Sequence, residues 1–202
     1  MKNKLLLTTI VIMLIAMNSF AQVTGTFTDA RDSKIYKIVT IGTQTWMAEN
    51  LAFKADSGCW AYNDSISYVA QFGYLYNWKT AKTVCPSGWH LPTEAEWTIL
   101  ISYLGGNDTA GGKLKSTSNW YGPNTGATNS SGFSALPGGY RDSYGRFDPS
   151  TPVGRSEGNW WSSSEDDKSY AWGRALSYSY SNVLRINSSK IHGYSVRCLK
   201  DK

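Results

Sequence analysis

Side chains able to do covalent or metal chemistry are few and scattered in this 202-residue chain. Its two histidines, His90 and His192, fall in no H-E-x-x-H spacing and beside no cysteine pair that could hold zinc. His90 lies between Trp89 and Leu91, just ahead of a helix start, where a hydrogen-bonding structural histidine is the plain reading; His192 sits in a turn before Gly193. An enzyme here would have to gather residues distant in sequence, such as His90, Glu165 and Arg141. Its mark would be an accessible His90 in a concave pocket beside a carboxylate. Oxygen donors for calcium exist at Asp142, Asp148, Glu165, Asp166 and Asp167. Calcium needs six to eight converging oxygens, and the run Glu165-Asp166-Asp167 points its side chains apart unless a loop folds around an ion. A solvated acidic turn is the competing reading, and Glu165 could instead be buried against Arg141 or Arg197.

The richer chemistry is that of contact. Nine tryptophans and thirteen tyrosines are present. Trp46, Trp78, Trp89, Trp97 and Trp161 stand in tight motifs where a large ring fills a core, while Trp60, Trp120, Trp160 and Trp172 are less constrained by pattern. Between Ser162 and Asn187 the sequence offers Ser163, Asp166, Tyr170, Arg174, Tyr178, Tyr180, Asn182, Arg185 and Asn187. Tyrosine gives rigid amphipathic contact area, and small polar residues give adaptable hydrogen bonds, as binding loops require. Tyr178 and Tyr180 read as neighbouring positions on one strand face, presenting two rings side by side. An ordinary polar sheet face is the alternative.

Elements to position these residues are legible in part. Thr93 before Glu94-Ala95-Glu96 is a capping box, so a helix is expected from Thr93. Trp97, Leu100, Ile101 and Leu104 supply its apolar stripe, and Gly105-Gly106 ends it. A shorter helix is expected over about Tyr76 to Thr83, ended by Pro86. Lys34 to Ile41 alternates as a strand, turning at Gly42-Thr43 into Gln44 to Met47. From Gly105 to Gly158 the density of Gly, Ser, Asn, Thr and Pro predicts a long loop region with short strands at Phe133 to Leu136 and Gly139 to Arg141. Strands at Tyr170 to Leu176, Val183 to Ile186 and Tyr194 to Cys198 close an antiparallel sheet.

The first 21 residues read as a signal peptide: Lys2 and Lys4, an apolar run over Leu5 to Met17, then Ser19-Phe20-Ala21 at the cleavage positions. The run is shorter than the roughly 20 residues a membrane span needs. Residues 22–202 then form one exported, soluble domain, located in the periplasm, at the outer surface or outside the cell. Losing Lys2 and Lys4 takes the net charge from +5 to +3, and the remaining basic residues are scattered, so nucleic acid is not an expected partner.

The motifs Gly73 to Trp78, Cys85 to Trp97, Leu136 to Asp142, Trp160 to Glu165 and Gly193 to Cys198 carry a resemblance. The chain resembles the Fibrobacter succinogenes major paralogous domain family. More distantly it is similar to the formylglycine-generating-enzyme branch of the C-type lectin-like fold. The resemblance implies an α+β, C-type lectin-like fold of two short helices on small antiparallel sheets with long loops. Three cysteines, Cys59, Cys85 and Cys198, allow three pairings from sequence alone. The lectin-like resemblance implies the pair Cys85 with Cys198, leaving Cys59 unpaired. The formylglycine chemistry, which uses paired active-site cysteines, is not carried over, because the cysteines are too few. The function expected is a non-enzymatic binding or surface module for a glycan or protein, working through its C-terminal face. A structural surface-assembly role, or an enzyme built around His90, are the alternatives. No cofactor is required, calcium being the one open candidate.

Overall fold

The computed structural model of the chain describes residues 23–147 and 155–202. The expected leader and Asp148 lie outside the described residues. The architecture is α+β. Strands β1 (Val23–Thr28), β2 (Ile35–Ile41) and β3 (Gln44–Met47) form an antiparallel meander, its second turn made at Gly42 with φ +61°. The chain then passes through β4 (Cys59–Ala61), two short 3-10 turns and α1 (Val69–Phe72) into β5 (Tyr74–Tyr76) and α2 (Trp78–Ala81). Next come β6 (Trp89–His90), α3 (Glu94–Tyr103) and α4 (Asn107–Leu114). The C-terminal part supplies β7 (Glu157–Glu165), β8 (Tyr170–Ser177), β9 (Leu184–Ser189), β10 (Tyr194–Ser195) and β11 (Leu199–Lys200).

Two sheets result, ordered β1-β2-β3-β11-β6 and β4-β5-β10-β7-β8-β9. The last strand thus closes the N-terminal meander, Leu199 pairing with Trp46. Every strand pair is antiparallel except β10 with β7. The period-2 alternation of strands sends neighbouring side chains to opposite sides. Trp160 and Trp46 enter one apolar cluster, with α3 and α4, while Trp161 and Met47 enter the other, with Tyr76, Trp78 and Trp89. Both faces of these strands are therefore buried, and Trp160 and Trp120, which the pattern left unconstrained, prove to be core.

Helix α3 is the expected one. Thr93 Oγ1 accepts from Glu96 N–H and the Glu96 carboxylate accepts from Thr93 N–H, completing the capping box. It ends where Gly105 and Gly106 take φ of +100° and +90°. The earlier helix is a single turn, Trp78–Ala81, capped by Asn77, whose Oδ1 accepts from Thr80 N–H. Two expectations are corrected. The Gly105–Gly158 region contains α4, whose Gly111 and Gly112 let backbone approach so closely that a Cβ at either would meet a carbonyl oxygen at 2.3 and 2.2 Å. Phe133 to Leu136 and Gly139 to Arg141 form isolated bridges only, Lys115 with Ala135 and Arg141 with Gly193 among them.

Candidate ligand-binding face

The β8–β9 ladder sets Tyr170 opposite Ser189, Trp172 opposite Asn187 and Arg174 opposite Arg185. Alternation puts these six side chains on one face of the sheet. Along β8 that face passes from solvent to cover: Tyr170 is 43% exposed, Trp172 half-buried, Arg174 only 4% exposed, and Leu176 lies in the core. The cover is the N-terminal turn of α3. Glu94 Oε2 accepts from Arg185 Nε at 2.7 Å and pairs with Arg174 Nη2 at 3.0 Å, and Arg174 Nη2 also donates to Thr98 Oγ1. The Arg185 guanidinium lies 3.3 Å over the Trp172 ring. Asn187 Nδ2 donates to Asp166 Oδ2 at the rim. Ser164 Oγ accepts from Glu94 N–H, and Ser163 N–H donates to the Pro92 carbonyl, so the irregular end of β7 is pinned to the start of α3. Burial pushes the Arg174 pKa down, Glu94 opposes that, and the second guanidinium of Arg185 adds to it.

Of the residues singled out in sequence, Tyr170, Arg174, Arg185 and Asn187 therefore share one sheet face, with Asp166 bonded to Asn187 at its edge and Ser163 tied by its backbone to Pro92. Arg174 belongs to the face as buried support, which corrects the expectation of an exposed side chain. Its low exposure follows from Glu94 and Thr98 lying over it. Tyr178, Tyr180 and Asn182 lie elsewhere, in the turn beyond Ser177, five strand positions or roughly 17 Å past Trp172. The two tyrosines are not same-face strand neighbours. Tyr178 packs on the core and edge-on to Tyr121, whereas Tyr180 is 62% exposed. The cause is Lys115, which follows α4: its buried ammonium donates to the carbonyls of Thr125, Ser177 and Tyr180 at 3.0, 2.9 and 2.8 Å and gathers the chain into a turn.

Sequence reading missed Trp172 and Glu94. The signal for Trp172 was the alternation Tyr170, Trp172, Arg174; for Glu94 there was none, since its partners, Arg174 and Arg185, come from strands 80 and 91 residues further along the chain.

The other candidates are dispersed. His90 lies beside carboxylates in a cleft of about 300 Å³, but one on each edge of its ring: Nδ1 meets Asp201 Oδ1 at 2.6 Å and Nε2 meets Glu96 Oε1 at 3.1 Å. The ring is part-exposed, so the accessible histidine beside a carboxylate is present, while Glu165 and Arg141 lie elsewhere. Glu165 pairs with Lys190, contrary to burial against Arg141 or Arg197. Arg141 lies 4.3 Å over Trp60. The fully buried Arg197 donates to Asn50 Oδ1 and to the carbonyls of Met47, Phe133 and Ser134. The Lys190 ammonium occupies the acidic turn, among the Glu165 carboxylate and the carbonyls of Asp167 and Lys168. Asp142 is engaged by Arg146 and the turn N–H groups. No group of three or more His, Cys, Asp or Glu side chains gathers for a metal among the described residues. Cys85 and Cys198 form a disulfide with Cα atoms 5.9 Å apart, while Cys59 is a free, half-buried thiol whose pKa burial raises. No helix among the described residues is long and apolar enough to cross a membrane.

No curated protein and no solved structure matches the chain. A family model, the Fibrobacter succinogenes major domain, matches residues 39–200, which include the Cys85–Cys198 bond, α3 and the whole β7–β9 face. The chain belongs to that family.

Proposed function

We propose that the chain is an exported, non-enzymatic carbohydrate-binding module of C-type lectin-like fold, with its site on the rim between β8–β9 and the start of α3. One observation carries the reading: an exposed tyrosine, a guanidinium stacked on tryptophan and an asparagine share one sheet face, held by a buried Glu94–Arg174 pair. Rigid planes flanked by hydrogen-bonding groups are what a sugar ring needs, apolar on its faces and hydroxylated at its edge. Of nine tryptophans, only Trp60 and Trp172 escape full burial, and Trp172 is the one on this face. Export is supported by the leader pattern together with the disulfide, which persists in oxidising compartments. The groups that would join His90 in an enzyme are engaged elsewhere, Glu165 with Lys190 and Arg141 over Trp60, which favours a binding role.

A glycan microarray probed with the purified chain and with Tyr170→Ala tests this. Wild-type binding to a defined glycan set, lost in the variant while circular dichroism is unchanged, supports the reading. Absence of glycan binding by the folded wild-type chain contradicts it.

A further inference from the structure

We infer that Arg185 is an anion-recognising residue and that the ligand of this face is a carboxylated sugar, a uronic acid; the inference rests on the carbohydrate-binding reading above. Arg185 is held at two of its surfaces and open at the third. Nε donates to Glu94, the flat face lies on Trp172, and the side chain is still 50% exposed. Its terminal Nη1 and Nη2 have no partner among the described residues. A guanidinium fixed by stacking and by its Nε edge presents those two nitrogens as a planar fork, which matches the two oxygens of one carboxylate.

Two guanidiniums share the single Glu94 carboxylate, so the arginine pair itself carries one unit of positive charge in excess of its partner, while the Asp166 carboxylate at the rim accepts from Asn187 Nδ2. The nearby Lys190 ammonium is already engaged by Glu165. Trp172 here is a positioning residue: it holds the guanidinium plane, while the exposed Tyr170 ring offers the stacking surface for the sugar.

The test is titration calorimetry of the purified chain with hexagalacturonate and with its fully methyl-esterified form, which keeps the backbone and removes the charge. The free acid should bind about tenfold more tightly or better. Arg185→Gln should erase that preference, bringing the acid to the level of the ester, and Arg185→Lys should keep a reduced preference, because charge remains and the fork is lost. Trp172→Phe should keep the preference and Trp172→Ala should diminish it. Equal binding of acid and ester by the wild type, or a preference unaltered in Arg185→Gln, overturns the carboxylate inference and leaves the carbohydrate-binding reading standing. Binding of neutral array glycans but of neither galacturonan does the same. Binding of an acidic peptide with no sugar bound at all overturns both.

Discussion

Glu94 serves two partners whose environments differ, so it links stability to the proposed binding face. Arg174 is almost wholly buried and Arg185 half-exposed. Removing the carboxylate by Glu94→Ala leaves a buried guanidinium uncompensated, a loss expected to cost about 3–5 kcal/mol in urea unfolding. Arg185→Gln should cost no more than about 1 kcal/mol by the same measurement, because the exposed partner keeps its hydration. Lys115 is a second buried charge, held by three carbonyls and 5.5 Å from the Trp120 ring centroid, and burial lowers its pKa to about 8. The folded chain then releases this proton before the unfolded chain does. Between about pH 8 and the ordinary lysine value, the unfolded chain binds more protons, so this group's contribution to stability rises with pH. Tyr194 has the opposite sign: burial raises its pKa to about 12, so its contribution is lost as pH climbs from 10 to that value. The stability of Lys115→Met should therefore lack the rise that begins near pH 8, keeping the rise from the buried Arg197, whose pKa burial lowers to about 9, and the fall above pH 10, as measured by urea midpoints across that range.

At the level of elements, the sequence was most legible where a local chemical rule decides the outcome. The Thr93 box and the paired glycines at 105 and 106 placed both ends of α3 because capping and positive φ are local requirements. Thr93→Ala should cost about 1 kcal/mol in thermal or urea unfolding. Helix α4 escaped for the converse reason. Its glycines read as breakers, yet tertiary contact selects them, since the turn at Ser181-Asn182 and the loop at Gly126 pack on the helix backbone itself. Gly111→Ala improves helix propensity and still should destabilise by about 1–3 kcal/mol, because a Cβ would sit 2.3 Å from the Asn182 carbonyl oxygen. A net gain in unfolding midpoint for that variant would show that the turn yields instead. The site was half legible on the same grounds. Alternation along β8 brings Tyr170 and Arg174 to one face, but it gives no hint that a lysine cage ends the strand before Tyr178 or that α3 lays Glu94 across it.

Across the whole molecule, the two sheets meet near the Cys85–Cys198 bond, since Cys198 directly precedes the strand that closes the N-terminal meander. Closing a loop of that span contributes up to about 4.7 kcal/mol on the chain-entropy account. Cys85→Ala with Cys198→Ala should lower stability by about 2–5 kcal/mol, read from urea unfolding. The proposed binding rim sits at the far side of the second sheet, on β8 and β9, with α3 connecting it to both apolar clusters through Trp97 and the Trp97 Nε1 bond to the Trp161 carbonyl. The most direct measurement of where ligand binds is a heteronuclear NMR titration with a glycan selected on the array, following the tryptophan indole N–H signals. The Trp172 indole, assigned through Trp172→Phe, should shift together with the backbone amides of Tyr170, Arg185 and Asn187. Shifts confined to the His90 cleft, or to the turn at Tyr178 to Asn182, with the Trp172 signal unmoved, would contradict the account.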